Sequence, residues 1–192
     1  MIDYILNGGI SIHPAFFENK QFDKINSDMH NLTYIKGHQP QTYYGNRLQA
    51  YPVYESHYDK ETEYITNKLE VILQTKVVRF TALARKTLMS EVQQSSQGFE
   101  KYGFIHTDTG EGQNLGGRSL IAGMMYFDQS FDGGTAFFNN YWEKVPDIYV
   151  SAYPNRLLLY DGGRWHSPAL DYTFEERLTL SFFFTIEKNG KK

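Results

Sequence analysis

The sequence contains no cysteine. Disulfide frameworks, thiolate zinc sites and a cysteine nucleophile are therefore excluded together. The absence suits a reducing compartment, and the cytoplasm is the expected location. No apolar run approaches the length needed to cross a bilayer. The N-terminal MIDYILNGGISIHPAFF lacks a basic stretch followed by an apolar core, so no signal peptide is expected. A block of basic charge is also missing before the last few residues, and 19 Lys and Arg against 22 Asp and Glu leave a net charge of −3. A nucleic-acid partner gripped through its phosphates is disfavoured, and no membrane partner is expected. Repeats, low-complexity tracts and Pro/Gly/Ser-rich linkers are lacking, so the 192 residues read as a single domain.

What is present points to a β-rich globular chain. Hydrophobic residues make 41% and charged residues 21%, which excludes a disordered chain. With only two Trp, the aromatic share rests on 14 Phe and 15 Tyr, a composition that favours strands. A chain of this length buries enough surface to fold without a metal or disulfide staple.

Along the chain, residues 3–6 (DYIL) read as a short edge strand closed by Gly8 and Gly9. From Pro14, suited to a first helical turn, Phe17, Phe22, Ile25 and Met29 recur at near-helical spacing. Residues 34–58, rich in Tyr, Gln, Gly and Pro, read as irregular. A second helix fits 59–75, with Ile65, Leu69, Ile72 and Leu73 in one stripe behind Asp59 as N-cap. Beyond it, 77–84, 85–92, 119–127, 134–139, 148–153, 156–160 and 177–187 are strand-like. In the last, Leu178, Leu180, Phe182, Phe184 and Ile186 alternate with Thr179, Ser181, Phe183 and Thr185, the pattern of a half-buried strand. Residues 1–76 thus supply supporting helices and an edge strand, and 77–192 a β-core: a mainly β (α+β) fold with helices buttressing a sandwich or barrel.

Of six histidines, His106 stands out because Asp108 follows two residues on. In an extended chain such residues share a face and can grip one ion together. Alone the pair means little, since about 0.3 such pairs arise by chance in this composition. His166 ends another strand beyond a Gly-Gly turn, and Arg177 opens the final strand eleven residues later. Two His and one carboxylate on one face of a metal form the triad of non-haem Fe(II) oxygenases, with open positions left over. A nearby Arg can pair with a cosubstrate carboxylate through two hydrogen bonds.

From Tyr102 to Phe184 the sequence resembles the Fe(II)/2-oxoglutarate-dependent dioxygenases, especially the prolyl-4-hydroxylase-like branch. The parts come in order: His106-Thr107-Asp108, the strand SLIAGMMYFDQ, Asp132-Gly133-Gly134-Thr135-Ala136-Phe137-Phe138, Asn155 to Tyr160 before His166, and Arg177. The resemblance implies a double-stranded β-helix (jelly roll, cupin-like). It implies His106, Asp108 and His166 as iron ligands and Arg177 as partner of the distal carboxylate of 2-oxoglutarate. Tyr126 matches a Tyr that hydrogen-bonds the same carboxylate, with an aromatic core residue as the alternative. Thr179 lies two residues beyond Arg177 on the same face; its hydroxyl assists, or it is an ordinary sheet Thr. Tyr102 and Arg118 are weaker pocket candidates. Gly133 and Gly134 let the next strand approach the metal-bearing sheet. Arg164 reads as facing substrate and Trp165 as core packing. The Tyr-rich stretch Tyr43, Tyr44, Tyr51, Tyr54 and Tyr58 reads as a covering loop or a substrate lid.

The implied reaction consumes O2 and 2-oxoglutarate, hydroxylates a substrate C–H bond and releases succinate and CO2. Phe183 stands where nucleic-acid demethylases of the superfamily usually carry a second Arg, which argues against base repair. Asp108 is retained where halogenating relatives have Gly or Ala. The substrate is a small molecule or a peptide, with a prolyl or other peptidyl hydroxylase leading and a free amino acid or metabolite next. A metal-binding module without turnover is the competing class, since the same donors also suit Zn or Ni.

Overall fold

The structure is a computed structural model, and it describes residues 1–36, 52–94, 101–103, 105–109 and 120–187. Among the described residues, ten strands form two antiparallel sheets. In sheet A the order is β1 (Ser11–His13), β8 (Leu157–Asp161), β5 (Leu120–Tyr126), β10 (Glu176–Ile186), β4 (Val77–Leu88), β3 (Tyr54–His57) and β2 (Ile35–Lys36). Sheet B runs β7 (Ile148–Ala152), β6 (Ser130–Phe138), β9 (Trp165–Ala169). The two face each other as a jelly roll.

Alternation along the strands builds two cores. Leu157 and Leu159 of β8, and Leu178, Leu180, Phe182 and Phe184 of β10, point to one side. There they meet Ile25 and Met29 of α2 (Asn19–Asn31) and Ile65, Leu69 and Leu73 of α3 (Thr62–Leu73). Leu158 and Tyr160 of β8 and Ala122, Met124 and Tyr126 of β5 point to the other side, against Phe137, Val150 and Ala152 of sheet B. Each fully buried Leu or Phe contributes roughly 1.5–3 kcal/mol relative to exposure, so the helices and sheet B are both clamped onto sheet A by apolar contact.

Several elements differ from the sequence expectation. Residues 3–6 are no edge strand: Ile2–Leu6 form the short helix α1, because Ile2, Ile5 and Leu6 at helical spacing all reach the core. The edge strand is β1, paired with β8. Helix α2 starts at Asn19, not at Pro14. Ala15 adopts φ 51°, and Phe16 and Phe17 are buried in a loop held by Asn155, which accepts from Phe17 N and donates to Phe17 O, both at 2.8 Å. Asp59 does not cap α3; Glu61 precedes its first residue and instead receives Gln21 and Lys24. Within 34–58, β2 and β3 are strands at the edge of sheet A, and 37–51 lie outside the described residues. The pair 77–84 and 85–92 is one strand, β4, registered without interruption against β10 from Leu88 to Arg79, and Met89–Gln94 is the helix α4. Strand β9 was hidden by Pro168, which is tolerated because β9 is an edge. Strand β10 is buried on both faces, since it lies between the helices and sheet B.

No helix among the described residues is long and apolar enough to cross a membrane.

Candidate metal centre

His166 sits in β9 opposite Phe137 of β6, which sets its side chain toward the interior between the sheets. His106 pairs with it across an isolated antiparallel bridge, each residue's N–H donating to the other's carbonyl at 2.9 Å. Two residues on, Asp108 N–H donates to Gly162 O at 2.8 Å, fixing the segment at a second point. The chain therefore delivers His106 and Asp108 on one face, beside His166.

One ligand atom from each residue lies within 4.8 Å of the others. Asp108 Oδ2 is 3.5 Å from His166 Nε2, and its Oδ1 is 3.9 Å from His106 Nε2. Arg164 O lies 2.9 Å from His166 Nδ1. A carbonyl only accepts, so Nδ1 carries the proton and Nε2 offers its lone pair to the centre. Asp108, with its side chain 6% exposed, has no Lys or Arg ion partner among the described residues. Two imidazole nitrogens and one shielded carboxylate are a donor set that fits a divalent iron and leaves positions open.

Tyr160 completes the surroundings. Its buried hydroxyl is 3.2 Å from both Asp108 Oδ2 and His166 Nε2, and burial, with the nearby Asp108 charge, pushes its pKa well up. It stays a phenol and donates. The sequence assigns Tyr160 no role beyond its motif; its signal is a position six residues before His166, on the inward face of β8.

Arg177 lies deeper. Its Nη2 donates to Gly134 O at 3.1 Å, and its guanidinium sits 5.9 Å from the Tyr126 ring. Among the described residues its buried Nε finds no partner, and neither does the buried hydroxyl of Thr179. No carboxylate among the described residues forms an ion pair with Arg177. Gly134 pairs with Ala169 and Phe137 with His166, three register positions apart. That places the Arg177 contact about 10 Å from the metal ligands, at roughly 3.3 Å per residue. A five-carbon dicarboxylate spans about 5 Å between end carbons, and a metal–oxygen bond plus a hydrogen bond make up the rest. The orphaned Arg177 Nε and Thr179 hydroxyl, at that distance, fit 2-oxoglutarate. Tyr126 is buried against the same region, with its hydroxyl 2.6 Å from Thr135 Oγ1. Thr135, which holds the Tyr126 hydroxyl, is not singled out by the sequence alone. A pocket lined by Arg177, Tyr126, Ser130 and Asp171 opens at this deep end and contains none of the three candidate ligands.

Other candidates fall elsewhere. Tyr102 packs edge-on against Phe138, with ring centroids 5.8 Å apart. The Arg164 side chain pairs with Asp147 at 2.7 Å, and its carbonyl meets His166 Nδ1. Trp165 sits against Tyr141. Tyr58 is fully buried with its hydroxyl on Asp28, and Tyr54 donates to Glu91, so neither belongs to a free lid. Arg118, Tyr43, Tyr44 and Tyr51 lie outside the described residues.

Solved structures share this architecture. A prolyl-4-hydroxylase of Pseudomonas putida matches at 11% identity over 97% of both chains, with TM-score 0.62. The non-haem α-ketoglutarate-dependent epimerase SnoN of nogalamycin biosynthesis matches at 11% identity over 95% of this chain and 79% of its own, with TM-score 0.64. A Trichoplax adhaerens prolyl hydroxylase, in complex with a hypoxia inducible factor peptide fragment, matches at 14% identity over 96% and 86%, with TM-score 0.61. No protein-family model and no curated protein matches the sequence. The jelly roll is the one these oxygenase structures have.

Proposed function

We propose that this chain is an Fe(II)- and 2-oxoglutarate-dependent oxygenase that hydroxylates a C–H bond, with His106, Asp108 and His166 holding the iron and Arg177, Tyr126 and Thr179 holding the cosubstrate. The observation that carries the reading is a shielded N,N,O cluster about 10 Å from an Arg177 guanidinium whose buried Nε lacks a partner among the described residues. A metal-binding module without turnover gives no reason to bury a cation at that distance.

When bound, iron with 2-oxoglutarate supplies the oxidising power for O2-dependent C–H cleavage, with succinate and CO2 as co-products. The chain's residues do the rest. His106 and His166 present neutral nitrogens and Asp108 one carboxylate, so adjacent positions stay open for chelation. Arg177 neutralises the distal carboxylate and fixes the cosubstrate's direction. Tyr126 and Thr179 offer hydroxyls beside it, and Tyr160 donates to Asp108 and so holds that carboxylate's orientation. Met124, Leu158 and Phe137 exclude water from the space between the sheets.

A peptidyl substrate, the expectation from the resemblance, is supported by the peptide bound in the Trichoplax structure. The part-buried ion pair of Arg85 and Glu55 favours a smaller, charged molecule as the second reading.

The test is anaerobic addition of Fe(II) and 2-oxoglutarate to metal-free protein. The expected result is a visible charge-transfer band that disappears on admitting O2 as succinate forms. Iron binding without the band would overturn the cosubstrate assignment and leave a metal-binding module.

A further inference from the structure

We infer that Arg85 and Glu55 form the subsite that takes the head group of the substrate, and that this substrate is a free α-amino acid; the inference rests on the oxygenase reading above. Strands β4 and β3 carry these residues in direct register, Glu55 opposite Arg85. Both strands extend sheet A past the part that meets sheet B, and neither contributes to the core between the sheets. Arg85 nevertheless turns to that same inner face. Its Nη1 reaches Ser181 Oγ at 3.4 Å, and its guanidinium lies 5.4 Å from the Phe183 ring centre. Phe183, Ala122 and Tyr160 form one row across β10, β5 and β8, and the Tyr160 hydroxyl touches Asp108 and His166. The Arg85 guanidinium therefore stands about two strand spacings, roughly 10 Å, from the residue beside the candidate metal ligands.

The pair is unlike an ordinary cross-strand ion pair on a solvated face. Arg85 Nε donates to Glu55 Oε1 at 2.8 Å, with the two side chains only 26% and 33% exposed. Arg85 Nη2 and Glu55 Oε2 have no partner among the described residues. Each member keeps one free edge, and Phe183 holds the guanidinium plane in place. Opposite charges 2.8 Å apart complement the ammonium and carboxylate that an α-amino acid carries on a single carbon. The carboxylate takes the free Arg85 edge and the ammonium the free Glu55 oxygen. An internal peptide residue carries neither charge.

The experiment is calorimetric titration of the Mn(II)- and 2-oxoglutarate-loaded protein, without O2, with each of the twenty L-amino acids. At least one should bind, and its N-acetyl amide should bind about a hundredfold more weakly or not at all. Arg85→Gln and Glu55→Gln should each weaken that amino acid tenfold or more with 2-oxoglutarate affinity unchanged. If 2-oxoglutarate binds and no amino acid does, or the N-acetyl amide binds equally well, or both variants bind as wild type, the subsite is overturned and the oxygenase reading stands. If 2-oxoglutarate itself does not bind, both fall.

Discussion

The hydroxyl of Tyr160 lies 3.2 Å from Asp108 Oδ2 and 3.2 Å from His166 Nε2, joining a carboxylate and an imidazole that come from different parts of the chain. Tyr160→Phe removes this donor with little change of volume. Groups that orient metal ligands typically change affinity 10–100-fold. Mn(II) affinity, followed by titration, is expected to fall about tenfold while the circular-dichroism spectrum is retained. An unchanged affinity would show that Asp108 is oriented by its backbone alone.

Metal binding should be legible in stability. A ligand at a hundred times its Kd contributes about 2.7 kcal/mol, or roughly 5–10 °C in Tm for a chain of this size. Saturating Mn(II) should raise the wild-type Tm by that amount and leave Asp108→Ala unmoved, as read by thermal denaturation. Equal rises in both proteins would place the ion elsewhere.

Arg177→Gln removes a cation at the deep end while keeping a donor toward Gly134. A charge-assisted pair in this setting is worth about 2–3 kcal/mol. The apparent 2-oxoglutarate affinity should drop on the order of a hundredfold, with Mn(II) affinity as in wild type. A matching loss of metal affinity would indicate general disruption instead.

Gly134 has φ 155°, and a Cβ there would lie 2.1 Å from Val150 O, a separation no relaxation of β7 can absorb cheaply. Gly134→Ala should cost more than about 3 kcal/mol and displace the carbonyl that Arg177 holds. Urea denaturation measures the first effect and 2-oxoglutarate binding the second. Gly163→Ala, whose added Cβ would meet atoms no closer than 3.0 Å, is the milder control.

Acid should loosen the helical layer at Asp28. Its carboxylate, on α2, receives Lys60 and Tyr58, and the Lys60 hydrogen bond chiefly holds its pKa below the usual value. A depressed folded-state pKa gives stability that is present above about pH 4 and disappears as pH falls through the folded value. Asp28→Asn should therefore cost up to about 1 kcal/mol at pH 7, since Lys60 is largely exposed. Below the folded-state value it should cost nothing. A constant difference across that range would mean the loss is one of shape, not charge.

Much of the scaffold was readable because period-2 alternation is a local property. Leu178 to Ile186 and Leu120 to Tyr126 announce strands whatever they pair with. The His106, Asp108 and His166 pattern was readable through order and spacing, and the structure brings those three side chains together. What escaped depends on pairing across the chain. Ile2–Leu6 is too short for its period to separate helix from strand, and only contact with the core decides it. Pro168 argued against a strand until β9 proved to be an edge. Burial of both faces of β10 follows from sheet B, which no window within β10 can see. Tyr160, Thr135 and the Arg164 carbonyl gained their roles from neighbours 52, 9 and two residues away, respectively.

Strand β10 is the middle strand of seven, hydrogen-bonded to β4 on one side and β5 on the other. The backbone of the segment carrying His106 and Asp108 is held, among the described residues, by a bridge to His166 and by the Asp108 and Thr109 N–H groups donating to Gly162. The two halves of the cleft therefore sit at opposite ends of the molecule's ladder of local opening energies. Amides of β10 should be among the last to exchange with deuterium, open only with global unfolding, and keep Arg177 in place. Those of 105–109 should exchange through small excursions until an ion ties them to β9. A cosubstrate would meet a fixed anchor and an adjustable grip, so the dicarboxylate's far end can be held in place before its near end is clamped.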